Sequence, residues 1–109
     1  MKRALAVLAV VAGIAGCGDS QQQAAKDAGY MLRMNQVVCH IAGTELEKVS
    51  AWLEQVLKDH PDLAEYAKKG ETEADAVHAR HQTESDGAQK DQTECEKVRS
   101  LAASWSPHS

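Results

Sequence analysis

The apolar positions divide the chain into an apolar head and a body of short amphipathic runs. The head runs from Ala4 to Ala12 without a charge and is broken by Gly13. In the body, Ala24, Ala28, Met31, Met34, Val38 and Ile41 recur at spacings of three and four, the period of one helix face. Gly29 falls inside this run, and Gly43 beyond it supplies a stop suited to a left-handed cap. Thr44 and Glu47 match a capping box, after which Leu46, Val49, Leu53, Val56 and Leu57 predict a second helix with Trp52 at the edge of its apolar face. Pro61 ends it, because the residue before a proline is pushed out of helical geometry.

A third helix of about ten residues is predicted to start at Pro61 and to stop at Gly70. Thr72 with Asp75 opens another run through Val77 and Ala79. Across residues 80–94 the apolar side chains disappear, which predicts an exposed, frayed helix or a loop around Ser85-Asp86-Gly87. A last helix carries Cys95, Val98, Leu101, Ala102 and Trp105 and ends at Ser106-Pro107. No stretch shows strand alternation, so the expected fold is all-α, a small bundle of four or five helices.

The head has another reading. Lys2 and Arg3 precede the apolar run, the order of a secretory signal, and the run is shorter than the roughly 20 apolar residues a bilayer core requires. It ends Ile14-Ala15-Gly16-Cys17, which resembles the lipobox of bacterial lipoprotein precursors: an aliphatic residue, two small residues and the modified cysteine. The resemblance implies that Cys17 receives a diacylglyceryl group, that cleavage falls between Gly16 and Cys17, and that the new amine is acylated. Gly18 after the cysteine, rather than Asp, implies sorting to the outer membrane in a host with two membranes. The expected organisation is a cleaved signal peptide (1–16), a lipidated cysteine with a flexible polar tether (17–23), a helical domain (24–105) and a C-terminal tail (106–109). Membrane attachment is then through the Cys17 lipid, since two acyl chains already anchor stably.

Charge and cysteine usage follow from that processing. With Lys2 and Arg3 removed, ten basic residues face sixteen acidic ones, a net charge of −6. This argues against nucleic acid and against an electrostatic grip on anionic lipid. There is no Phe, and only two Trp and two Tyr, so the core must come from Leu, Val, Ile, Met and Ala. A chain this small often needs a staple. With Cys17 lipidated, Cys39 and Cys95 remain, and an exported chain meets oxidising conditions in which such a pair forms a disulfide. Closing a loop of that length stabilises by about 4 kcal/mol in the chain-entropy model.

Candidate chemistry is sparse. Asp75, His78, His81 and Glu84 are spaced by three along one helix face, a set of nitrogen and oxygen donors that zinc or copper accepts. No second cluster completes a coordination sphere, and a solvated polar face is the competing reading. His40 beside Cys39 could activate a thiol, but a partner cysteine in an oxidising compartment favours the disulfide. The sequence holds no Gly-x-Ser-x-Gly, phosphate loop or Cys-x-x-Cys, and it implies no cofactor. Trp52 sits in an apolar arc broader than one small core needs, which makes it a candidate partner-facing anchor. A core position is the favoured reading for both Trp52 and Trp105.

The expected function is therefore non-enzymatic: a lipid-anchored, periplasm-facing envelope protein that binds a protein partner as an inhibitor, immunity or exclusion factor. Residues 39–67, in particular Glu47-Lys48-Val49 to Leu53 and Asp59-His60-Pro61-Asp62-Leu63, resemble the small periplasmic immunity proteins that neutralise peptidoglycan amidase toxins. Those are also disulfide-stapled helical proteins. Superinfection-exclusion lipoproteins of plasmids and phages fit the same size and anchoring. Two other readings stand beside this one: an assembly accessory of an envelope secretion or pilus machine, and metal binding through His78 and His81.

Overall fold

The computed structural model describes residues 5–105, with side chains from Ser20 onward. Residues 1–4, the side chains of 5–19, the Cys17 thiol among them, and the 106–109 tail lie outside what is described. Four α-helices follow one another: α1 (Leu5–Met34), α2 (Thr44–Asp59), α3 (Ala64–Gln82) and α4 (Gly87–Ala103). They alternate in direction. Ala25 clusters with Val56 and Leu63 at one end of the bundle, while Cys39 bonds Cys95 towards the other. The all-α bundle is as expected, with four α-helices among the described residues. Among those residues no helix is long and apolar enough to cross a membrane.

The fold is organised by the contact between α1 and α3. A side chain at Gly29 would overlap the backbone carbonyl of Ala67. One at Gly70 would overlap the carbonyl of Lys26 and stand 2.7 Å from the amide nitrogen of Tyr30. Each helix thus offers a glycine to the other's backbone, and the two lie closer than side chains would allow. This corrects the expected stop at Gly70. The helix runs through it without interruption, so the predicted break before Thr72 does not exist. Gly70 costs helix propensity, about 1 kcal/mol against Ala, and returns it as close packing.

The core is small. Met31, Met34, Val49 and Val98 are its largest fully buried side chains, joined by Ala28, Leu46, Ala74 and Ala102. Each helix contributes at least one residue to this cluster. Trp52 packs against both it and the second cluster of Ala25, Val56 and Leu63, so α2 ties the two together.

Helix ends depart from the sequence expectations in three places. α1 does not stop at Gly43. Its last turn widens into a π turn at Asn35–Cys39, and His40 takes the left-handed conformation at φ 52°, with its N–H on the Asn35 carbonyl at 2.8 Å. The Asn35 side chain causes this: its Oδ1 accepts from the Ile41 N–H while its Nδ2 donates to the Ile41 carbonyl. An amide that pairs with the backbone six residues on competes with regular helix. The capping box is likewise absent. Gly43 is the cap, at φ 149°, Thr44 is the first helical residue, and no side chain caps the turn. Finally, Ser20 to Gln23, expected as part of a flexible tether, lie within α1.

The polar stretch 80–94 is also helical apart from a turn around Ser85. Gly87 is buried there, and a Cβ on it would overlap the His81 carbonyl. α3 and α4 are therefore joined by a turn that only glycine fits.

The glycine contacts make a prediction of definite sign. Gly29→Ala and Gly70→Ala should each destabilise the domain by about 1–3 kcal/mol, the usual cost of overpacking, although alanine favours the isolated helix. Thermal or urea unfolding measures this. A stabilised Gly70→Ala variant would remove the close contact from the account.

Candidate functional site

α3 carries His78 and His81 one turn apart, and both face Asp91 on α4. The Asp91 carboxylate accepts from His78 Nδ1 at 3.0 Å through Oδ2 and from His81 Nδ1 at 2.7 Å through Oδ1. His81 is the buried member, with its side chain 9% exposed. Because the carboxylate accepts from both rings, each imidazole carries its proton on Nδ1 and is held in one tautomer. One acid thus links two histidines across the helical hairpin.

The other two members of the predicted ligand set lie elsewhere. Arg33 Nε donates to Asp75 Oδ1 at 2.8 Å, tying α1 to α3. Lys90 Nζ lies 3.0 Å from Glu84 Oε1 and 3.6 Å from Asp86 Oδ1, bracing the α3–α4 turn. Asp75, His78, His81 and Glu84 therefore do not converge. Among the described residues, no group of three or more histidine, cysteine, aspartate or glutamate side chains is disposed to hold a metal ion. The arrangement is an interhelical clamp. It also accounts for the ordering of 80–94 without an apolar face: hydrogen bonds to His81 and Asp91 replace apolar burial there.

Trp52 is half-buried and packs edge to face on Trp105, with ring centroids 5.4 Å apart and planes at 76°. Such pairs contribute about 0.5–1.5 kcal/mol beyond their area. Both tryptophans are thus largely core, the favoured reading. Among the described residues neither indole N–H has an acceptor. One edge of Trp52 lines a narrow cleft of about 160 Å³ with Gln21, Asp59 and His60, at the end where α1 enters the bundle. Cys39 is in its disulfide with Cys95, Cα atoms 5.5 Å apart, and His40 is an exposed cap residue.

A larger cleft, about 360 Å³, lies between α1, α3 and α4. Tyr30, Val77 and Leu101 supply its apolar part, and Asp27, Glu73, Glu94, Arg80 and Lys97 its charges. Leu101 is 43% exposed, the one large apolar side chain so exposed among the described residues. The inward face of α4 is centred on Val98 and Ala102, both buried, and at 100° per residue Leu101 falls on its rim. The Tyr30 hydroxyl donates to Glu94 Oε1 at 2.7 Å, and Lys97 Nζ stands 3.6 Å from Glu94 Oε2. Burial first, then the hydrogen bond and charge of Glu94, push the Tyr30 phenol well above its ordinary range. Glu94 is thus fixed between two neighbours at the edge of the apolar patch.

No local sequence pattern marks this cleft directly. Tyr30, Glu94 and Leu101 come from distant segments, and only Leu101's place at the rim of its helix face could have marked it. No known protein family, curated protein or solved structure matches the chain.

The clamp separates buried from exposed pairing. Asp91→Ala strands two imidazole donors, one of them buried, and should cost about 1–3 kcal/mol. Asp75→Ala breaks an exposed pair and should cost less than about 1 kcal/mol. Urea unfolding of the two variants compares them directly. Equal effects would show that the Asp91 pairing is no more than surface charge.

Proposed function

We propose that the chain is a lipid-anchored envelope protein, facing the periplasm, that acts without catalysis by binding a protein partner through the Leu101 cleft. The observation that carries this reading is the composition of the cleft. An apolar centre of exposed Leu101 with half-buried Tyr30 and Val77 is ringed by three acids and two bases, the core-and-rim pattern of protein interfaces. Glu94, held by Tyr30 and Lys97, offers the partner a positioned charge rather than a mobile one. The anchor rests on Ile14-Ala15-Gly16-Cys17 behind a basic start and an apolar run. Small size, a disulfide and a recessed apolar patch suit an inhibitor, immunity or exclusion factor. Metal binding through His78 and His81 is not carried forward, because Asp75 and Glu84 pair with Arg33 and Lys90 and, among the described residues, no group of three or more donors is disposed to hold an ion.

Two experiments test the proposal. Cys17→Ser should prevent acylation and move the protein from the membrane to the soluble fraction after detergent-free lysis. A photo-crosslinking residue placed at Leu101 in the native envelope should give one discrete protein adduct. The same residue at Lys48, on the helix that does not line the cleft, should give none. Adding Lys97→Glu should reduce the yield at 101 at least several-fold. Equal labelling at both positions, or none at either, contradicts the assignment of the cleft.

A further inference from the structure

The end of the bundle where α1 enters is formed by Gln21 and Gln22 of α1, Asp59 and His60 at the close of α2, and Pro61 and Asp62 of the turn into α3. We propose that this end rests on the lipid headgroups, so that the domain is held upright on the membrane instead of swinging from a flexible linker. The inference rests on the lipid-anchor reading above and adds to it an orientation and a contacting surface.

Chain length carries the argument. Only Gly18 and Asp19 separate Cys17 from Ser20, and the three Cα-to-Cα steps between them span at most about 10 Å however they are arranged. The chain is not free to swing beyond that point. Gln21 and Gln22 are half-buried, and Ala25 is fully buried in one cluster with Val56 and Leu63. Gln21 also lines the narrow cleft beside Trp52, Asp59 and His60. An acyl anchor at Cys17 therefore sits within about 10 Å of a helix that is already packed into the domain. A flexible tether ending at Gln23 would have allowed every face of the domain to reach the bilayer. The observed packing leaves only the surroundings of Gln21.

The chemistry of this end selects the kind of surface. Asp59, His60, Pro61 and Asp62 are exposed, with Lys58 the nearby cation. Two acids beside one lysine gain nothing from anionic lipid, whose field favours basic clusters. The contact is accordingly with polar, zwitterionic headgroups and is imposed by the short anchor. Polar and small side chains tolerate it without insertion. The opposite end, at Ala42–Gly43 and the Thr83–Asp86 turn, is then about 24 Å further out, the length of the sixteen residues of α2. A partner reaching the Leu101 cleft must approach from the side, close to the membrane.

The test uses the full acylated chain in phosphatidylcholine vesicles or nanodiscs carrying a headgroup spin label, read by amide-resolved relaxation enhancement. Gln22, His60 and Asp62 should be enhanced more than tenfold over Gly43 and Ser85. Replacing the phosphatidylcholine partly with phosphatidylglycerol should leave that pattern unchanged. A ten-residue Gly-Ser insertion between Asp19 and Ser20 should erase the difference between the two ends. Mass measurement of the extracted protein separates the two readings. An acylated chain with equal enhancement at both ends, or with Gly43 and Ser85 favoured, overturns the orientation alone. A chain that carries no acyl group overturns the anchor and the orientation together.

Discussion

The backbone-to-backbone contact of α1 and α3 is the constraint on which the other packing depends. A chain with no Phe has little side-chain volume with which to fill a bundle. Gly29 and Gly70 address this by removing the space instead of filling it, so that alanines at 25, 28, 67 and 74 reach full or nearly full burial. With α1 and α3 drawn together, α2 and α4 pack along the pair and complete the core with Leu46, Val49, Val98 and Ala102. The disulfide then joins the π turn after α1 to α4. It closes a sequence separation of 56 residues, long enough for about 4 kcal/mol in the chain-entropy model.

Electrostatic pairs finish what apolar burial leaves undone. Arg33 with Asp75 and Lys26 with Glu73 run along the seam between α1 and α3. Both are exposed and contribute little each. The Asp91 clamp differs because His81 is buried, so its loss leaves a donor without water or acceptor. The half of α4 nearest the turn is thus held by hydrogen bonds, and the half nearest Ala102 by apolar contact.

Much of this was legible in the sequence wherever local pattern decides the outcome. The apolar face of α2, its end at Pro61 and the pairing of Cys39 with Cys95 all followed from spacing, proline sterics and compartment logic. What failed depends on a partner distant in sequence. Gly70 looks the same in sequence whether it stops a helix or admits another backbone, and only Lys26 and Tyr30 distinguish the two. The stretch 80–94 is exposed at most positions with a turn around Ser85, as its lack of apolar residues implies, but His81 and Gly87 within it are buried. The sequence does not display that Asp91 would meet two histidines ten and thirteen positions earlier. The candidate site was the least legible part. Asp75 and Glu84 share a helix face with the histidines yet pair with Arg33 and Lys90, while the Leu101 cleft draws on three helices and matches no local motif.

The central claim is that α1 from Ser20 onward is an integral member of the bundle, locked by its glycine contact with α3, and not an appendage of a tether. Native-state hydrogen exchange tests this most directly. Amides of residues 25–31 should exchange only through global unfolding, at rates matching those of residues 67–74 and slower than those at Thr83 and Asp86. If the 25–31 amides exchange as fast as those of the α3–α4 turn while residues 67–74 stay protected, α1 is detachable and the account fails at its base.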